Sequence, residues 1–245
     1  MPLRNTSCWH DSVPASGHEV GLIDSMDVYN AVWTRQSIRR FTDRPVPREV
    51  FERVLTAAAN APSGSNLQPW NVYVVSGDLL TKLKNTVAGR VAAGDSGDDR
   101  EFANLPPEVR SPYLERMAAL GEGLYGSQGV ARGDVAGRAR IRARNWNCFG
   151  AGTALFCYLD RDMPKPRWAD VGIYLQTVML LLRAEGLHSC TQEIWGEYHL
   201  SVAEVTAPQP ERMLFCGMSI GFADPTVTHP RIRRAPLSET VTFLD

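Results

Sequence analysis

Apolar residues first recur at helical spacing at Val28, Tyr29, Val32 and Trp33, behind Asp24 or Ser25 as a cap. The pattern fades after Trp33. Pro47 then opens a second helix, with Val50, Phe51, Val54, Leu55 and Ala58 on one face. APSGSNLQP, 61–69, is a loop by composition, and WNVYVVS, 70–76, is apolar on both faces, which predicts a buried strand. A helix over 78–91 carries Leu79, Leu80, Leu83 and Val87. Gly, Pro and charge then break the pattern, and Ser111-Pro112 restarts a helix bearing Tyr113, Leu114, Met117 and Leu120. Residues from about 92 to 140 read as an excursion from the core, helical and partly mobile.

Beyond the excursion the signals strengthen. TALFCYL, 153–159, predicts a second buried strand. WADVGIYLQTVMLLLRAEG, 168–186, predicts a helix apolar nearly all round, closed by Gly186 as its C′ residue. Such a helix needs cover on every side, from its own domain or from a partner subunit. A short strand, LHS, precedes CTQEIWGEY; Ser201 and Glu204 have the spacing of a capping box; MLFCGMSIGFA, 213–223, predicts a last central strand. The proline-punctuated tail, 224–245, ends in ETVTFLD, an expected edge strand. Helices and strands mix irregularly and without internal repeat, which predicts an α+β fold with several helices around one sheet.

The length of 245 residues suits one large domain or two small ones. The net charge of −1 gives no global electrostatic case for nucleic acid or an anionic membrane, so each basic cluster needs a local explanation. Five cysteines, none in CxxC spacing and most in apolar surroundings, read as reduced, buried thiols of a cytoplasmic protein. The five histidines are scattered, so no metal site is expected. Residues 1–25 lack the apolar run of a signal peptide and read as a mobile N-terminal extension. VMLLL is far too short to cross a bilayer.

Four segments carry candidate chemistry. In RQSIRRF, extended backbone would put Arg35, Ser37 and Arg39 on one face. Two guanidiniums and a hydroxyl make a phosphate cradle, although a solvated helix end fits the same residues. PSGSN, from Pro62 to Asn66, offers hydrogen-bonding groups without bulk, or is a plain connection. Gln192 and Glu193 stand at a strand end, where functional groups collect, or in a surface loop anchored by Trp195. Arg231, Arg233 and Arg234 in the tail either reach an anion or are solvated. The run Arg138, Arg140, Arg142 and Arg144 reads as a solvated face. No P-loop, strand-linked GxGxxG, GxSxG or HExxH occurs, and no nucleophile–base pair can be picked out.

Taken in order, RFTDRPVP, APSGSNLQPW, the GLHSC strand end with Gln-Glu, the strand ending in GF and the Arg-rich tail resemble the FMN-dependent nitroreductase family over residues 26–245, least so at 92–140. RNWNCFGAGTALFCYLDRDM, WADVGIYLQTVMLLLRAEGL and CTQEIWGEYH are similar to the branch containing nitrobenzoate reductases. The resemblance implies a single α+β nitroreductase-like domain, a mixed sheet flanked by helices, in an interlocked homodimer with FMN at two interface sites. It implies that Arg35, Ser37 and Arg39, with Gln36 beside them, hold the phosphate and ribityl chain. Arg39 also reaches the N1–O2 edge of the flavin. Pro62, Ser63, Gly64, Ser65 and Asn66 then come from the other subunit. Gln192, Glu193 and Ile194 run along the N5 side; Ile194 stands where many members have glycine. Asn145 is the expected mid-chain contact, and Arg231, Arg233 and Arg234 include the tail's phosphate ligand.

The implied activity is NAD(P)H-dependent reduction of nitroaromatic or related small electrophiles by a ping-pong route, with the flavin N5 performing the chemistry and no catalytic side chain identified. A same-fold enzyme for quinone reduction, reductive dehalogenation or ring oxidation is the alternative, as is a non-catalytic flavin-binding module. The excursion is expected to lie over the flavin as a lid, with Tyr113, Tyr125 and Trp146 as candidate aromatic walls.

Overall fold

The computed structural model describes residues 26–245; the N-terminal extension expected over 1–25 lies outside the described residues. Strands β1 (Asn71–Ser76), β2 (Thr153–Asp160), β3 (His188–Gln192) and β4 (Arg212–Gly221) form one sheet in the order β1-β2-β4-β3. All three strand pairs are antiparallel, which corrects the mixed sheet expected; a parallel bridge between Ser37 and Ser189 is isolated and lies outside the named strands.

Among the described residues seven α-helices accompany it: α1 (Val28–Thr34), α2 (Arg48–Ala58), α3 (Gly77–Ala92), α4 (Tyr113–Gly126), α5 (Val135–Ala143), α6 (Lys165–Ala184) and α7 (His199–Thr206). The two-residue period of β2 divides the core. Ala154, Phe156 and Tyr158 pack with Leu80, Leu83 and Val87 of α3 and Val202 of α7. Leu155, Cys157 and Leu159 pack with Phe51 and Val54 of α2 and Val171, Leu175, Val178 and Leu182 of α6. A strand feeding both cores must be apolar throughout, as TALFCYL is.

The expected C′ residue of α6 is in place. Gly186 has φ +73°, its N–H donates to Arg183 O at 3.0 Å, and Leu187 N–H donates to Leu182 O at 2.8 Å, the paired bonds of a Schellman motif. Cover on every side is not found among the described residues: Gly172 and Ile173 on α6 are exposed. In α1 only Ala31 is buried, while Val28, Tyr29, Val32 and Trp33 are exposed.

Several expectations need correction. Asp27 caps α1, accepting from Asn30 N–H at 2.9 Å; Asp24 and Ser25 lie outside the described residues. β1 is an edge strand with only Val75 buried, because β2 covers one of its sides alone. Ser201 lies inside α7 and accepts from Arg90 at 2.9 Å, so no capping box forms with Glu204. The amide of Leu200 is capped instead by Asp98, at 2.9 Å. ETVTFLD forms no strand, and Phe243 and Leu244 are exposed.

The excursion is of two kinds. α4 has no buried residue, in keeping with a segment off the core. Residues 95–102, by contrast, are tied down: Arg90 pairs with Asp95 and Asp98, Asp98 N–H donates to Glu197 O at 2.6 Å, and Phe102 packs against Trp168 and Phe215.

Candidate functional site

α1 stops at Arg35, whose ψ of 126° turns the chain into extended backbone. Ile38 N–H donates to Ser189 O at 3.1 Å, which lays the segment beside β3. Alternation then sends Ile38 into the core and leaves Ser37 exposed, with Arg35 and Arg39 partly exposed. The extended face expected of RQSIRRF is therefore formed.

That face lines a cavity of about 610 Å³ with Arg35, Gln36, Ser37 and Arg39, closed by Arg231 and Arg234 of the tail. Trp33, Gln176 and Leu120 complete the wall. A second cavity of about 350 Å³ shares Ser37 and Arg39 and adds Arg40, Arg144, Gln128 and His229. Arg233 lines neither; it borders an adjoining space of about 680 Å³ beside α4, which shares Leu120, Arg231 and Arg234 with the first cavity.

The cavity is positively charged and uncompensated. Among the described residues, Arg35, Arg39, Arg231 and Arg234 form no ion pair with a carboxylate. Their internal bonds go to main-chain carbonyls: Arg39 to Ser37 at 3.3 Å, Arg234 to Ile232 at 2.9 Å, and Arg231 to Trp33. Burial, and then the neighbouring Arg234, lowers the pKa of Arg35. Gln36 Oε1 is buried without a partner among the described residues. Donors thus exceed acceptors in a space with room for a phosphate ester, and these residues fit the phosphate end of FMN.

A second group of expected residues meets at the end of β3. Gln192 is buried; its Nε2 donates to Asn145 O at 3.0 Å and to Asn145 Oδ1 at 3.2 Å, while its Oε1 accepts from Ser219. Glu193 opens a 3₁₀ turn over Glu193–Tyr198 with its side chain exposed, and Ile194 packs against the core. Asn145 follows closely on α5, so this helix delivers it to Gln192.

The Pro62–Asn66 loop lines neither cavity. It is pinned to the start of α6: Gly64 N–H donates to Asp170 at 3.2 Å, and Arg167 donates to Gly64 O at 2.6 Å. Ser65 and Asn66 take left-handed φ values of 53° and 55°, which holds the loop in a tight turn.

Arg144 lines the smaller cavity, which its place in an arginine run obscured. α5 ends at Ala143, and Arg144 turns inward, donating to Arg39 O at 2.6 Å and Gln128 Oε1 at 2.8 Å. Burial, and then Arg40, lowers its pKa. Of its neighbours in the run, Arg140 is exposed as expected, whereas Arg142 pairs with Glu197 and Arg138 lies 4.0 Å over the ring of Tyr125. The aromatic walls also need correction. Trp146 is buried against Trp195 and Tyr198, Tyr125 sits under Arg138, and Tyr113 is exposed; Trp33 is the aromatic residue lining the larger cavity.

Among the described residues no His, Cys, Asp and Glu cluster could hold a metal ion, and no helix is long and apolar enough to cross a membrane. Cys148, Cys157, Cys190 and Cys216 are buried and form no disulfide among the described residues; burial pushes Cys157 up to about 12. Cys8 lies outside the described residues.

Comparison with known proteins completes the picture. The profile of the Nitroreductase family matches residues 32–222. A 4-nitrobenzoate reductase of Pseudomonas putida is 32% identical over 212 residues, 86% of this chain and 91% of the relative. The crystal structure of an FMN- and NADPH-dependent nitroreductase, NfnB, from Sphigopyxis sp. strain HMH superposes with a TM-score of 0.86 at 38% identity, covering 89% of this chain and 99% of that one. The FMN-dependent nitroreductase NfnB of Mycobacterium smegmatis, solved with NADPH, gives a TM-score of 0.82 at 31% identity over 89% of this chain and 100% of that one.

Proposed function

The chain belongs to the nitroreductase family, and we propose that it is an FMN-dependent reductase that oxidises NAD(P)H and reduces nitroaromatic or related electrophilic acceptors. The observation that carries this reading is the cavity where Arg35, Arg39, Arg231 and Arg234 meet without a carboxylate. The names of the similar proteins, FMN- and NADPH-dependent nitroreductases and a nitrobenzoate reductase, support the same cofactor and acceptor class.

In this reading Arg35, Ser37 and Arg39, with Arg231 or Arg234, bind the phosphate and ribityl chain, and Gln36 offers its unpartnered oxygen to a ribityl hydroxyl. Asn145, Gln192, Glu193 and Ile194 flank the ring. The bonds from Gln192 Nε2 to Asn145 O and Oδ1 orient both amides before any ligand arrives, which limits the ordering that binding requires. Bound FMN would supply the redox chemistry that links NAD(P)H oxidation to reduction of the acceptor. The chain's own tasks are to bind the phosphate, orient the ring and place positive charge near it.

The site takes residues from two chains of a homodimer. The exposed apolar residues of α1 and α6 support a partner surface there, and Pro62–Asn66, held on α6 away from the Arg35 cavity, serves the partner's flavin. Residues 26–245 act as one domain with the excursion as a lid, supported by Leu120 of α4 in the cavity wall. Unpaired thiols suit the cytoplasm.

Anaerobic mixing tests the function. NADPH or NADH should bleach the flavin of the purified yellow protein, and a nitroaromatic should restore its colour in a second step. Bleaching without reoxidation by any nitroaromatic would contradict the acceptor class, and failure to bleach would contradict the reductase reading itself.

A further inference from the structure

Glu197 lies in the turn that begins at Glu193, and its carboxylate receives two guanidiniums. Arg100 donates to Oε1 at 2.7 Å, and Arg142 donates to Oε1 and Oε2 at 2.7 and 2.6 Å. These arginines flank the excursion: Arg100 sits on its tied-down first leg, and Arg142 just past its end, in the last turn of α5. The main chain closes the same junction. Asp98 N–H donates to Glu197 O at 2.6 Å, and Gly97, at φ +96°, lies so near that a Cβ there would stand 2.3 Å from that oxygen.

The junction also reaches the site. Arg100 Nη1 donates to the carbonyl of Glu193 at 3.3 Å, and that carbonyl belongs to the peptide carrying the N–H of Ile194. Past α5, Arg144 holds Arg39 O and Asn145 meets Gln192. One carboxylate therefore sets both legs of the excursion against the turn that flanks the site. Glu197 is only 20% exposed and bonds two arginines at once, so it differs from an isolated surface pair, which would contribute little. Neutralising it would leave two guanidiniums facing each other across an uncharged group.

We infer that Glu197 is a positioning residue for the acceptor side of the site: it latches the excursion through Arg100 and Arg142 and so sets the wall against which the acceptor is held. The inference rests on the reading that Gln192–Ile194 flank the flavin.

Glu197→Gln in the full chain tests it. Hydrogen exchange without added flavin reads the latch itself. Protection at Asp98 and over 139–145 should fall about tenfold, with β2 unchanged. In the FMN-loaded protein the acceptor KM should rise about tenfold while FMN affinity stays within about twofold. Arg142→Ala is half exposed and safe for folding; it cuts only the α5 arm and should reproduce a smaller KM rise. Unchanged exchange in both variants would overturn the latch. A loss of FMN affinity as large as the KM change would overturn the positioning role and leave Glu197 a general support of the fold. If even the native chain bound no FMN, the functional reading would fail, and the exchange result would still decide whether the latch exists.

Discussion

Arg144 donates to the main-chain carbonyl of Arg39 at 2.6 Å, so a residue just past α5 holds the segment that carries the arginine cradle. Removing it frees the Arg39 backbone and leaves a partly buried carbonyl unpaired. Arg144→Ala should weaken FMN binding by about 1–2 kcal/mol. Arg138→Ala, which loses only a ring contact with Tyr125, should leave it unchanged. Fluorescence titration of the two apoproteins separates them, and equal losses would reject the assignment.

The lid can be cut, but not where its composition suggests. Residues 95–102 cap α7 and pack Phe102 against Trp168 and Phe215, so their removal should lower stability. Replacing 105–128 by a short linker removes α4, which has no buried residue, and should leave FMN bound while changing acceptor preference through the loss of Leu120. An unchanged acceptor profile in the trimmed protein would contradict the lid.

His188 gives a pH signature. Burial first, then Arg183 and His229, pushes its pKa down from 6.5 to about 4. Arg183 Nη1 lies 3.2 Å from Nε2, so that nitrogen accepts and the ring is neutral. Between pH 4 and 6.5 the unfolded chain binds more protons at this residue than the folded one. The contribution is complete above 6.5 and is lost as pH falls toward 4. For a half-buried group the loss is about 1–2 kcal/mol after solvent screening. His188→Asn should flatten the Tm–pH curve across that window, and an unaltered slope would contradict the assignment.

The parts legible in the sequence are those whose partners are local or whose burial is complete. β2 could be identified because it feeds two cores, the end of α6 because Gly186 supplies the left-handed residue, and the cradle because Ser37 and Arg39 share an alternating face. What stayed hidden depends on distant pairing. Asp98 caps Leu200 across the fold, which is why Ser201 only imitates a cap. Arg144 leaves its run because α5 ends at Ala143. β1 looks like an interior strand until the strand order puts it at an edge. Of the tail arginines, only the path of the chain separates Arg231 and Arg234 in the cavity from Arg233 outside it.

A shared site predicts complementation. At FMN concentrations that leave the Arg35→Ala and Asn66→Ala homodimers unloaded, every mixed dimer with Arg35 and Asn66 serving one flavin from different chains has one native site. Random pairing of equal amounts should restore roughly a quarter of native activity. No recovery in verified heterodimers would reject the two-chain site.

The phosphate itself is the sharpest probe of the cradle. FMN and riboflavin differ by that group, so their affinities for the apoprotein isolate what the cavity of Arg35, Arg39, Arg231 and Arg234 contributes. Native protein should bind FMN at least about a hundredfold more tightly than riboflavin, and Arg35→Ala should lose about 2–3 kcal/mol of FMN binding while leaving riboflavin binding nearly unchanged. Equal affinity of the native protein for the two flavins, or an Arg35→Ala variant that keeps the full preference for FMN, would contradict the account.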